Sequence, residues 1–175
     1  MAIPLVYTKD AQTEGRLIRS GGGYCVYHET LRYETSEAPE FIDITNDVHG
    51  VVERSGIAFG TASIFSRHTT AAVKINEHEP LLLRDLARML RHLAPQDEYY
   101  EHNDFSRRTV NMNPGECANG HSHAQQILLG SSETVPLMDA RLVIGAWQSL
   151  FFIELDHPRP RQVLVTVMGI PREEA

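Results

Sequence analysis

Strand-like patterning occupies both ends of this chain and helical patterning its middle, and that order constrains the fold most. Residues 24–35 ("YCVYHETLRYET") mix β-branched and aromatic residues with polar ones, and "EFIDITNDV" alternates at period two. "IAFGTASIFSRHTTAAVKIN" is rich in small and β-branched residues and reads as two strands or one bent strand. "NDVHGVVERSG" predicts a short helix ended by Gly56. "EPLLLRDLARMLRHLAP" is the clearest helix, with Pro80 in the first turn and Pro95 past the end. At 100° per residue it sets Leu82, Leu86, Met89, Leu90 and Leu93 on one stripe, opposite Arg84, Arg88 and Arg91. A polar loop over 96–120 leads to "SHAQQILLG", a second helix capped by Asn119 or Ser122 and closed by Gly130. "SSETVPLMDA" reads as a turn, and "RLVIGAWQSLFFIELD" and "RQVLVTVMGI" as strands. Strands, helix, loop, helix, then strands predict an α+β domain with a largely antiparallel sheet, not the parallel sheet of a regular strand–helix alternation.

The length of 175 residues suits one domain, with residues 1–23 an extension that "SGGGY" hinges to residues 24–175. A net charge of −7 offers nothing global to nucleic acid or an anionic membrane, so neither is an expected partner; a local basic pocket for a phosphate stays open. Two cysteines, Cys25 and Cys117, make no disulfide framework and suit a reducing compartment. The start "MAIPLVYTKDAQ" has no signal-peptide pattern, and no apolar run reaches the roughly 18–20 residues of a membrane span. A cytoplasmic protein is the expectation.

The chain carries no GxxxxGK[ST], GxGxxG, GxSxG or HExxH motif. Its chemistry must therefore come from polar residues set beside apolar elements. His121 and His123 can share one metal ion if the backbone is extended there, with His102 on the preceding loop as third ligand; otherwise they are solvated residues at a helix start. His68, ahead of Thr69 and Thr70, is a general base oriented by hydroxyls, a phosphate contact, or a satisfied strand-end residue. Asp85 is a boundary residue of its helix or an acid aimed into a site. Strand alternation puts Gln148, Leu150, Phe152, Glu154 and Asp156 on one face, followed by Arg159 and Arg161. That end is an anion clamp or a structural ion pair. Ser106, Arg107 and Arg108 are a phosphate contact or an exposed group.

In order, "RHTTAA" followed by "INE", "NGHSHAQQILLG" and "LVIGAWQSLFFIELDHPRPR" resemble the YjbQ-like family over about residues 24–170. The resemblance implies an α+β fold built around a β-sandwich, a homotrimer with a polar cleft between subunits, and activity like that of secondary thiamine-phosphate synthases, which join a pyrimidine methyl diphosphate to a thiazole phosphate. It implies catalytic roles for His68, Glu77, Asp85 and Glu154. Substrate or anion contacts would come from Thr69, Thr70, Asn119, Gln148 and Arg159. A divalent metal, zinc or magnesium, would sit on His102, His123 and the less secure His121. The same residues leave open a metal-dependent hydrolase of a phosphoester or acyl bond, or a non-catalytic trimer that binds a metal or anion.

Overall fold

The computed structural model describes the backbone of residues 16–19 and the whole of residues 23–171. Of the expected N-terminal extension, residues 1–15 and 20–22 lie outside that description. Arg16–Arg19 form β1, an edge strand antiparallel to β2 (Cys25–Glu34). Next come β3 (Glu40–Asp43), α1 (Thr45–Ser55), β4 (Ile57–Ser66), β5 (Ala71–Asn76), α2 (Pro80–Leu93), a 3₁₀ turn at Glu101–Asn103 and α3 (Gly120–Leu129). The chain then runs through β6 (Ser132–Met138), β7 (Arg141–Leu142), β8 (Ser149–Glu154) and β9 (Pro160–Pro171).

Two antiparallel sheets result, with strand orders β1-β2-β9-β4-β6-β7 and β3-β8-β5. Alternation aims Leu31, Ile64, Val135, Val163, Val165 and Val167 of the large sheet inward, against α1 and against Val73, Leu150 and Phe152 of the small sheet. The small sheet's other face carries Ala72, Phe151 and Ile153, which pack with Leu155 under Leu83 and Leu90 of α2. Covered on both sides, β8 reads as a continuous apolar run, "LFFI", rather than an alternating one. The expected α+β fold around a β-sandwich is what forms. No helix among the described residues is long and apolar enough to cross a membrane.

Three local expectations are corrected. "SSETVPLMDA" is mostly strand: β6 pairs with β4, Val135 and Leu137 facing the core between exposed neighbours, while Pro136 accepts from Val143 N at 2.9 Å. "RLVIGAWQSLFFIELD" is not one strand, because a turn at 145–148 separates β7 in the large sheet from β8 in the small one. In that turn Gln148 N donates to Gly145 O and Gln148 Oε1 accepts from Gly145 N, at 2.9 and 2.7 Å. On α2 the buried stripe is Leu83, Ala87 and Leu90, with Met89 44% and Leu93 56% exposed. Ala87 lets the helix approach the small sheet more closely than a longer side chain there would.

Candidate functional site

The β4–β5 connection, residues 67–70, opens the site. β9 pairs with β4 as far as Ser66↔Val163, and the next N–H of β9, that of Gln162, is taken by His68 Nε2 at 2.9 Å. Accepting there, the neutral ring carries its proton on Nδ1. Burial, aided by the positive charge of Arg161, lowers the His68 pKa and keeps the ring neutral. His68 is therefore a hydrogen-bond donor through Nδ1–H, which removes the general-base reading of Nε2.

Below it lies a fixed ionic layer. Glu154, fully buried, receives both Nε–H and an amino group of Arg161, the Thr35 hydroxyl at 3.1 Å, and the N–H groups of Leu155 and Asp156 at 3.1 and 3.0 Å. Its oxygens are filled, so the expected catalytic role is corrected to one of positioning. Arg159 and Arg161 each donate to Thr70 Oγ1 at 3.1 Å. Arg159 also pairs with Asp156, to which Asn119 donates at 3.1 Å. Burial alone would raise the Asp156 pKa; hydrogen bonds from Asn119 and His157 and the charge of Arg159 outweigh it and hold the carboxyl below its ordinary value.

The far wall is made by the long loop and α3. Gly120 begins the helix, where a Cβ would lie 2.5 Å from Tyr100 Cβ; only glycine admits that ring. Asn103 Oδ1 accepts from Gly120 N at 2.9 Å, so the loop caps the helix, while Asn119, the expected cap, turns its side chain to Asp156 instead. This clamp sets His102 against His123, ring centroids 4.6 Å apart and edge to face. Burial, then the neighbouring His102, lowers the His123 pKa. His102 Nε2 is buried and has no hydrogen-bond partner among the described residues.

His121 does not join them. Residues two apart on a helix point about 200° from each other, so the H-x-H pair diverges once the backbone is helical. The Ser122 hydroxyl donates to Leu155 O at 2.7 Å and accepts from His121 Nε2 at 3.1 Å, and His121 faces a second cavity of about 220 Å³. The expected set of three histidines on one metal is thus corrected: a single chain brings two imidazoles together.

His68, Thr69, Thr70, His102, Asn119, His123 and Arg159 do line one cavity, of about 580 Å³. That volume is in the range of small-molecule sites. The lining also includes Arg67, Arg108, Arg161, Glu116, Cys117 and His157, so four guanidiniums and one carboxylate face the space. Glu77, Asp85 and Gln148 are elsewhere. Asn76 pairs with Ser149, which sets Glu77 and Gln148 at the opposite end of the β5–β8 ladder from Ala71↔Glu154. Five strand steps separate the ends, about 17 Å. Asp85 is exposed and pairs with Arg88 at 2.7 Å, which fits the boundary residue of the two readings and not an acid aimed into this cavity. No motif or periodicity in the sequence marks Glu116 or His157 for this cavity, and Cys117 stands out there only as one of two cysteines.

The model for the UPF0047 protein YjbQ-like family matches residues 29–170. The chain belongs to that family. Curated YjbQ-like relatives include a UPF0047 protein of Methanothermobacter thermautotrophicus, 44% identical over 83% of this chain and 94% of its own length. Protein YugU of Bacillus subtilis is 32% identical over 81% and 98%. The crystal structure of a YbjQ-like protein of unknown function from Sulfolobus solfataricus superposes with a TM-score of 0.75 at 33% identity, covering 83% of this chain and 99% of that one. A YjbQ/UPF0047 protein from Clostridium acetobutylicum gives 0.70 at 34%, covering 80% and 98%. The YjbQ-like resemblance and the fold it implied both hold.

Proposed function

We propose that the 580 Å³ cavity binds a small phosphorylated substrate and catalyses the displacement of diphosphate characteristic of thiamine-phosphate synthases. The carrying observation is electrostatic: in a chain of net charge −7, four arginines line a single cavity, three of them held in place by Glu116, Asp156 and Glu154, beside His68 and His123, whose pKa values burial lowers. Arg159 Nε is buried with no partner among the described residues, and together with His68 Nδ1–H it offers donors to diphosphate oxygens. Asp156 and Glu154 fix the Arg159 and Arg161 guanidiniums before substrate arrives, which is the preorganisation that developing charge requires. In the reaction the thiazole nitrogen forms a bond to the pyrimidine methylene carbon as the bond from that carbon to the diphosphate oxygen breaks. The thiazole phosphate and the departing diphosphate are the anions the arginines receive.

The reading includes a homotrimer and a cytoplasmic setting, as the family resemblance implies. A second subunit would supply the Glu77 and Gln148 end, which one chain holds about 17 Å from its own cavity. Calorimetric titration with inorganic diphosphate, together with an assay for thiamine phosphate from the two half-substrates, tests the proposal. Wild type binds diphosphate and Arg159→Ala weakens it at least tenfold. Product forms in wild type and is lost with His68→Phe. Absence of diphosphate binding by wild type overturns the reading, and phosphate release from simple phosphoesters without coupling replaces it with hydrolysis.

A further inference from the structure

Among the described residues, the one group of three side chains with ligand atoms all within 4.8 Å is Cys117, Asp156 and His157. Cys117 Sγ lies 3.5 Å from His157 Nδ1 and 3.8 Å from Asp156 Oδ1, and the last two atoms are 3.2 Å apart. In a tetrahedral zinc site with bonds of about 2.3 Å to sulfur and 2.0–2.1 Å to nitrogen and oxygen, the edges between ligand atoms come to about 3.5 Å for S–N and S–O and about 3.3 Å for N–O. The observed triangle has the dimensions of one face of that tetrahedron. We propose that Cys117, Asp156 and His157 form a binding site for a zinc-like divalent ion, distinct from the histidine pair, with its fourth position open to the cavity.

Three features beyond the triangle support the assignment. Asp156 is oriented for it: Asn119 and Arg159 occupy Oδ2, which leaves Oδ1 turned toward the sulfur and the imidazole. The donor set of thiolate, imidazole and carboxylate suits zinc and excludes magnesium or calcium, which take oxygen ligands. Cys117 and His157 both line the cavity with His123 and Arg159, so three protein ligands leave a position for water or a substrate oxygen, as in catalytic rather than structural zinc sites. The thiolate and the carboxylate, which Asp156 shares with Arg159, offset the ion's positive charge, and Arg159 Nε remains available to an anion.

The test uses the untagged full chain freed of metal with chelator and titrated with Co²⁺ and Zn²⁺. Wild type is expected to take one ion per chain and to develop the near-ultraviolet band of a cobalt–thiolate bond. Cys117→Ser, which changes little in volume, loses that band and weakens Zn²⁺ at least tenfold. His157→Ala weakens Zn²⁺ comparably, while His102→Ala and His123→Ala retain the band. Lack of a thiolate band in wild type overturns the proposal. So does binding that survives Cys117→Ser and disappears in His123→Ala, which places the ion on the histidine pair instead. Titrating the metal-free protein with inorganic diphosphate reports on the phosphate site separately, so either assignment can fail alone.

Discussion

Removing Arg161 while keeping Glu154 tests whether the cavity floor is as dry and as tightly coupled as its geometry implies. Arg161 is 3% exposed and Glu154 0%, and the guanidinium supplies two of the five donors around the carboxylate. Arg161→Met preserves much of the side-chain length but leaves a buried charge without its counter-ion. Breaking a buried pair this way costs about 3–5 kcal/mol, against a total stability for a domain of about 5–15 kcal/mol. For a chain of this size each kcal/mol lowers Tm by about 2–4 °C, which predicts a fall of about 6–20 °C. Urea unfolding followed by circular dichroism measures the loss from the midpoint and slope. The double variant Glu154→Gln/Arg161→Met removes both charges and keeps an amide oxygen for the N–H groups of Leu155 and Asp156. It should recover more than half of the loss, because the penalty lies in the stranded charge and not in the missing contact. A single-variant loss under about 1 kcal/mol would refute the reasoning, since it would show water screening the pair as it does at a surface.

Three further outcomes are expected. His68, His121 and His123 all have pKa values lowered by burial, so between their folded values and the ordinary 6.5 the unfolded chain binds more protons. Stability should be full above pH 6.5 and decline as pH falls below it; a urea midpoint that rises between pH 7.5 and 5.5 would contradict this. Gly120→Ala pushes a methyl group into Tyr100 and should cost about 1–3 kcal/mol, largely relieved by adding Tyr100→Ala; thermal melts of the single and double variants decide it. Glu79 accepts from Leu81 N and Leu82 N at the start of α2, so Glu79→Ala should cost about 0.5–2 kcal/mol in the same melts, whereas Asp85→Ala, cutting only an exposed pair, should cost under about 1 kcal/mol.

Local periodicity and end signals were legible where one rule governed a segment. α1 ends at Gly56 in the left-handed conformation, α2 begins at Pro80, and β4 and β5 divide the run that contains His68, all as the pattern predicts. The departures from the local pattern share a cause, which is that tertiary cover overrides it. β6 was hidden by Pro136 and by short alternation, and the turn before β8 was hidden because apolar residues continue through it into a different sheet. Within the site, His68, Thr70, Asn119, His123 and Arg159 were identifiable as polar residues beside apolar elements. His121 diverges from His123 because the backbone there is helical, not extended, and a helix sends residues two apart to opposite sides. Cys117 and His157 meet across a loop and a strand end, 40 positions apart, and no local spacing encodes such a meeting.

β9 follows every other described element in sequence, yet it lies between β2 and β4 with partners along both edges. It also carries Arg161 and the Gln162 N–H that orients His68. During synthesis, therefore, β2 and β4 must wait unpaired on those edges until the whole stretch between β4 and β9, with α2 and α3 in it, has been made, a non-local topology of the kind that folds slowly. Before β9 inserts, Glu154 lacks its guanidinium and His68 its anchor. The strand that closes the large sheet also assembles the cavity, so folding intermediates should be unable to bind its ligand, and competence should appear only with the final cooperative step.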